Sequence, residues 1–228
     1  PVHNRIKRLC RAIDSVLCEP EVKQLVVVDD GSDIDIKSAL KHYQDRLSYI
    51  YQKQSGVSAA RNRGIVESTQ PWIAFLDSDD EWLAGKLSLQ LVGLERSHRL
   101  ISHTEEVWIR NGIRVNPKNK HSKRGGSIFF DCLPLCTVSP SSVLIHKDVL
   151  SDVGLFDTQL PACEDYDLWL RIALGYEFDF IERACLKKYG GHEDQLSRKY
   201  WGMDRFRVQS LYKLLGARSM SEDQKIAV

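Results

Sequence analysis

Through residue 76 the chain alternates between two side-chain periods, and that alternation restricts the fold more than any other feature. Ile6, Leu9, Cys10, Ile13 and Leu17 fall at helical spacing with Lys7, Arg8, Arg11 and Asp14 between them, which predicts an amphipathic helix. Residues 24–28 are a β-branched run closed by Asp29-Asp30-Gly31-Ser32, where the glycine suits a tight turn at a strand's end. A helix over 34–43, a short strand over 47–52, a helix over 57–68 entered through Gln54-Ser55-Gly56, and an apolar strand over 72–76 follow. Such an order implies a parallel sheet with helices on both faces and right-handed crossovers. With 228 residues, 43% of them hydrophobic, the chain can bury the core this requires.

The strand over 72–76 ends in Asp77-Ser78-Asp79-Asp80-Glu81. Ligands of open α/β sheets gather outside the carboxyl ends of the strands, so acids at a strand tip are candidates for a site. Four carboxylates this close repel one another unless solvent or a hard cation such as Mg²⁺ or Mn²⁺ stands among them, and Asp77 and Asp79 have the spacing to share one. The same residues also read as a helix start, with Ser78 or Asp80 capping a helix over 81–96. Spacing alone leaves both readings open.

A formal net charge of +1, with basic residues scattered along the chain, offers no field for nucleic acid. No apolar run approaches the roughly 20 residues that span a bilayer, and the N-terminus lacks a signal peptide's apolar core, so a cytoplasmic protein without a transmembrane segment is expected. The six cysteines of so large a chain are expected reduced and mostly buried. Cys132 and Cys136 stand at helical spacing, but no second Cys/His pair lies at a convincing distance for zinc.

Later segments change in character. Asn111-Gly112 between 100–109 and 113–115 is a two-residue hairpin signal. His103, Glu105 and Glu106 on its first strand would either meet a substrate or line a solvated face. Residues 116–126 carry Lys118, Lys120, His121, Lys123 and Arg124 among polar residues and read as a mobile loop, able to close over phosphates or simply solvated. Cys163-Glu164-Asp165 precedes Leu168, Trp169, Ile172 and Ala173 at helical spacing, which puts two acids at a helix start. Strands over 176–181 and 185–189, a loop over 190–197 holding His192, a helix over 203–215 and a fraying tail complete the chain.

Five segments occur in an order that resembles family 2 glycosyltransferases: Pro1-Val2-His3-Asn4-Arg5, Val28-Asp29-Asp30-Gly31-Ser32, Gly56-Val57-Ser58-Ala59-Ala60-Arg61-Asn62-Arg63-Gly64, Phe75-Leu76-Asp77-Ser78-Asp79-Asp80 and Glu164-Asp165-Tyr166-Asp167-Leu168-Trp169-Leu170-Arg171. The resemblance implies a GT-A fold, an α/β Rossmann-like and mostly parallel sheet with helices on both faces and a smaller mixed acceptor-side region. It implies a nucleotide-sugar-binding part over 1–98, an acceptor-binding and catalytic part over 99–202, and a C-terminal helix and tail over 203–228. Its reaction would be inverting transfer from a nucleoside-diphosphate sugar, most commonly UDP-linked, to the hydroxyl of a glycan, a lipid-linked acceptor or a small molecule, with Mg²⁺ or Mn²⁺.

Residue by residue, the resemblance assigns Asp30, and less firmly Asp29, to the base, Asn4 and Arg61 to the nucleotide, and Asp79 with Asp77 to the metal. It puts His192 near the metal or the phosphates and makes Asp165 the general base. Each has a plainer reading: a turn residue for Asp30, a helix face shared with Arg63 for Arg61, a cap for Asp165, a solvated loop for His192. A non-catalytic nucleotide-sugar-binding module of the same fold is the rival function. In the family the Pro-x-x-Asn-Arg segment follows a central first strand, so residues ahead of Pro1 are expected to supply it.

Overall fold

The computed structural model describes residues 1–116, 118, 121–192, 200–216 and 220–228. Its first helix, α1 (Ile6–Leu17), buries Leu9, Ala12, Ile13 and Val16, the apolar stripe read from the sequence. Strand β1 (Val26–Asp30) buries four consecutive side chains, as expected of a strand covered on both faces. The helical segment that follows is shorter than expected: α2 (Ile36–Ala39), capped by the Asp35 side chain, gives way to a 3₁₀ turn over Lys41–Tyr43. Strand β2 (Ser48–Gln52) then pairs with β1 in parallel, from Val26↔Ser48 to Asp30↔Gln52. On the other edge of β1, Val2 donates to the Val28 carbonyl (2.8 Å) and accepts from the Asp30 amide (2.9 Å). Helix α3 (Val57–Glu67) packs over β1, with Gly64 facing Val28.

The remaining strands form a second sheet. They are β3 (Trp72–Ala74), β4 (Glu81–Trp82), β5 (Ile101–Arg110), β6 (Ile113–Val115), β7 (Leu144–His146) and β8 (Asp179–Gly190), in the order β3-β7-β5-β8-β4 with β6 beside β5. β5 and β8 run parallel; the other pairs are antiparallel. Parallel pairing therefore belongs to β1 with β2 and β5 with β8, and the mixed region is concentrated in this sheet. Helix α4 (Lys86–Ser97) lies against β5 and β8, and α5 (Phe129–Cys132), α6 (Lys147–Val153) and α7 (Glu164–Ala173) surround the main core. α7 supplies the centre of that core, with Tyr166, Leu168, Trp169, Leu170 and Ile172 all buried. Helices α8 (Asp204–Leu215) and α9 (Glu222–Ala227) end the chain. The Asn111-Gly112 turn has φ of 50° and 78°, the left-handed pair a two-residue hairpin needs.

Several expectations are corrected. Glu81 starts no helix: Glu81–Trp82 is a strand paired with Leu186 and Lys187, and α4 begins only at Lys86, after Gly85 at φ 82°. The two strands over 176–181 and 185–189 are one strand, β8, whose pairing with β5 shifts register around Thr104 to Glu106. The described part of the basic 116–126 segment is anchored rather than mobile. Lys123 Nζ lies 2.9 Å from Glu106 Oε2 in a buried pair, and His103 Nε2 lies 2.9 Å from the Arg124 carbonyl oxygen. His103 and Glu106 are accordingly buried and line no solvated face. Lys120, and residues 193–197 of the expected loop, lie outside the described residues. The tail re-forms a turn of helix through a capping box between Ser221 and Gln224. Cys132 and Cys136 are free thiols, as expected, and burial raises both above their ordinary pKa. Among the described residues no helix is long and apolar enough to cross a membrane.

Candidate active site

The acids of 77–81 are held individually, each by a different element. Ser141, in the 3₁₀ turn Pro140–Ser142, accepts from the Asp77 amide (3.1 Å) and donates to Asp80 Oδ2 (2.7 Å), while the Tyr189 amide of β8 donates to Asp80 Oδ1 (3.0 Å). Burial, then repulsion from Asp77 and Asp79, pushes Asp80 up to about 8. Asp79 Oδ2 accepts from Arg5 Nη1 at 2.9 Å and lies 2.6 Å from His192 Nε2. Glu81 is engaged by Lys187 (2.9 Å) and the Tyr189 hydroxyl (2.7 Å). Asp77 Oδ1 accepts from Arg61 Nη2 at 2.6 Å; burial alone would raise Asp77, but the guanidinium holds it below the ordinary carboxylate range.

Arg61 is the hub. Its side chain is buried, and its second terminal nitrogen donates to Glu164 Oε1 at 2.6 Å, so it bridges the acidic loop to the start of α7. Phe156 stands 5.2 Å from the guanidinium carbon, and Arg61 Nε has no hydrogen-bond partner. That makes Arg61 a buried connector and not the solvated helix face its position beside Arg63 allowed. Glu164, raised by burial and by Asp165, is kept in place by this bond. Asp165 itself accepts from the Tyr166 amide (2.8 Å), remains half-buried, and follows Cys163, whose φ of 61° turns the chain sharply into α7.

At the β1 tip the carboxylates are committed to the scaffold. Asp30 accepts from Gln52 Nε2 (2.7 Å) and the amides of Ser55 (2.8 Å) and Gly56 (2.8 Å), three of the roughly four sites a carboxylate offers. Asp29 points the other way, accepting from the Ser32 amide (2.9 Å) and the Tyr49 hydroxyl (2.6 Å). Asn4, at φ 56°, donates its backbone amide to the Ser32 hydroxyl oxygen (2.9 Å), and its side chain donates to Asp33 Oδ2 and accepts from the Asp33 amide. The structure thus joins Arg61, Asp77 and the Glu164-Asp165 pair, sets Asp79 beside His192, and leaves Asp29, Asp30 and Asn4 as a separate tip reached through Gly56.

Sequence reading missed Arg5, Ser139, Ser141 and Lys188. Lys188 Nζ donates to Ser139 Oγ (2.8 Å), and although burial would lower it, Glu106, Asp80 and Asp165 raise its pKa. A serine-rich turn, Ser139-Pro140-Ser141-Ser142, was the available signal for the first contacts; nothing local marks Lys188.

The family model for glycosyl transferase family 2 matches residues 1–154, which contain β1, the Gly56-to-Arg61 segment and the whole acidic loop. The chain belongs to glycosyl transferase family 2. A family relative from Rickettsia bellii named an uncharacterized glycosyltransferase is 32% identical over 176 residues, covering 76% of this chain and 25% of its own length. The first relatives matched are much longer, this chain spanning 25% to 31% of them. Staphylococcus aureus TarS residues 1–349, solved with UDP-GlcNAc, superposes with a TM-score of 0.80 at 18% identity over 99% of this chain and 67% of that one. The mannosyltransferase PcManGT from Pyrobaculum calidifontis, solved with GDP-Man and Mn²⁺, gives 0.64 at 16% identity over 94% and 60%. At these identities the solved structures establish the shared GT-A fold.

Proposed function

We propose that this chain carries the donor and catalytic machinery of an inverting transferase that moves a sugar from a nucleoside-diphosphate sugar to an acceptor hydroxyl. The observation that supports it most is the Arg61 bridge, which fixes the Glu164-Asp165 helix start against the acidic loop. A base and a phosphate-side acid cluster must keep a constant separation across the sugar, and one buried guanidinium would do that here. Asp165, whose second oxygen is free of the α7 backbone contact, would accept the hydroxyl proton as that oxygen attacks. Uridine is favoured as the nucleotide, in keeping with the UDP-GlcNAc complex of TarS. The acceptor is a hydroxyl compound of a class the site geometry leaves open.

Asp77 and Asp79, with the His192 imidazole beside Asp79, are the donor types that a divalent cation, Mg²⁺ or Mn²⁺, takes and shares with phosphates, though among the described residues no three such side chains are already gathered around one point. Asp79 and Asp77 would hold it, with His192 alongside, and bound there it would neutralise charge on the departing diphosphate. Arg61 keeps Asp77 ionised, Ser141 and Tyr189 orient Asp80, and Arg5 keeps Asp79 aimed.

Asp165→Asn tests the reading because it keeps shape and removes basicity. In the full-length enzyme, kcat should fall by about 10²–10⁴ with donor binding nearly unchanged. Proton NMR of the first-formed product should show the inverted anomer. Transfer within a few-fold of the parent enzyme would remove Asp165 from the reaction. Donor binding without any nucleotide release in the unaltered enzyme would favour a binding module.

A further inference from the structure

Residues 154–157, which link the end of α6 to the approach to α7, have no regular structure. Such a segment has no ladder to satisfy its backbone, and here side chains reach in from both flanks to do so. From α7, Arg171 donates through Nη1 to the Val153 carbonyl (2.6 Å) and through Nη2 to the Leu155 carbonyl (2.8 Å), while its Nε holds Asp167 (2.9 Å). From α3, Asn62 donates through Nδ2 to the Phe156 carbonyl (2.8 Å) and accepts from the Phe156 amide at Oδ1 (3.0 Å). One side-chain amide thus meets both backbone groups of one residue, the exchange that a facing residue makes in an antiparallel ladder. Asn62 stands in for a strand at this point.

That pairing fixes one ring. Phe156 is 3% exposed, and its ring meets each of the elements that carry the acids of the candidate site. The Arg61 guanidinium carbon stands 5.2 Å from its centroid. Phe75, two positions ahead of Asp77, meets it edge to face at 5.4 Å, and Trp169, one turn beyond Asp165 on α7, does the same at 6.2 Å. Arg61 Nε has no hydrogen-bond partner among the described residues, so the plane of the guanidinium is set by Asp77, by Glu164 and by this aromatic face.

We infer that Asn62 is a positioning residue for sugar transfer: by pairing with the Phe156 backbone it fixes the ring against which Arg61 aligns Asp77 with the Glu164-Asp165 helix start. The inference rests on the transferase reading and adds to it a residue that acts through its neighbours rather than on substrate. A cap or a surface contact would use one atom of the amide, whereas both are committed here to a single residue 94 positions away. A displacement of about 1 Å at a reacting group can cost about a hundredfold in rate, so a ring that indexes three elements at once has a leverage on kcat that its packing does not measure.

The test uses the full-length enzyme and two substitutions. Asn62→Asp keeps the oxygen that the Phe156 amide uses and sets a second oxygen against the Phe156 carbonyl; Phe156→Leu keeps the backbone pairing and removes the ring. Turnover is read as UDP released from the UDP-linked sugar that the unaltered enzyme turns over fastest in a panel. It is expressed per site counted by calorimetric titration with UDP and Mn²⁺, so unfolded molecules do not enter. Asn62→Asp should lower turnover per site by about 10- to 100-fold with the Kd for UDP within about threefold. Phe156→Leu should lower it comparably, and the double variant should fall no more than about threefold below the slower single, because both act through one ring. Turnover per site within about threefold of the unaltered enzyme in either variant, with only the number of sites reduced, would make the pairing structural and overturn the inference. So would losses that multiply in the double variant. Where Asn62→Asp yields no UDP site, Phe156→Leu decides by the same criterion. An unaltered enzyme that binds UDP but releases none from any UDP-linked sugar would overturn the transferase reading, and this inference with it.

Discussion

Asp79 shows how one carboxylate of the acidic loop is fixed by distant residues: Arg5 and His192 converge on its Oδ2. Asp79→Ala should abolish Mn²⁺-dependent donor binding in calorimetry while leaving the circular dichroism spectrum intact, since a partly exposed loop acid contributes little packing; donor affinity unchanged with and without chelator would contradict the assignment. His103 offers a pH test away from the site. Burial, then Lys123, lowers its pKa from 6.5 to about 3, and Lys123 lowers Glu106 to about 2 against the cost of burial. The unfolded chain binds a proton at His103 below about pH 6.5 and the folded chain does not, so stability declines as pH falls from about 6.5 towards 3. Glu106 adds a loss of the same sign below about 4.5. Urea unfolding at pH 4.5 should give a free energy about 2 kcal/mol below that at pH 7, and His103→Gln should flatten that slope whatever it does to stability at pH 7.

At the scale of elements, three signals carried by adjacent residues were read correctly. Asp29-Asp30-Gly31 ends a strand, Asn111-Gly112 turns a hairpin, and Glu164-Asp165 begins a helix, because each depends on neighbours within a few residues. β4 was not legible: Glu81 and Trp82 have no strand period, and only Leu186 and Lys187, over a hundred residues away in sequence, make them one. The anchoring of 121–126 failed for the same reason, as a lysine reads as solvated until a buried Glu106 is known to face it. α4 carries a comparable surprise at Gly93. Alanine there should favour an isolated helix by about 1 kcal/mol, but its Cβ would meet Asp179 Oδ2 at 2.5 Å and Ile181 Cδ1 at 3.0 Å. Asp179 is held by the Ser102 hydroxyl and cannot easily yield. Gly93→Ala should therefore destabilise the protein by about 1–3 kcal/mol in urea titration; a gain would mean that α4 stands off β8.

Across the whole molecule, the ordered motifs disclosed the family and the fold, but not that one buried arginine ties the acidic loop to the start of α7. Arg61 was legible as a motif residue; its two buried partners, 16 and 103 positions away, were not. Arg61→Met leaves Glu164 and Asp77 without their counter-charge and should cost about 3–5 kcal/mol, read as a lowered urea midpoint with the slope retained. Loss of donor affinity with no loss of stability would instead make Arg61 a ligand contact alone. The separations also carry a consequence in time. Arg61 reaches Glu164 across 103 residues, Tyr189 reaches Asp80 across 109, and His192 reaches Asp79 across 113. Contacts so distant along the chain form late and slowly in folding, because the loops they close must be ordered first. While residues 1–160 are all that has been made, the acidic loop can meet Arg5, Arg61 and Ser141 but not Tyr189 or His192, and Arg61 still lacks Glu164. The contacts that close this cluster are thus among the last to become available, and the full set requires a chain made at least through His192.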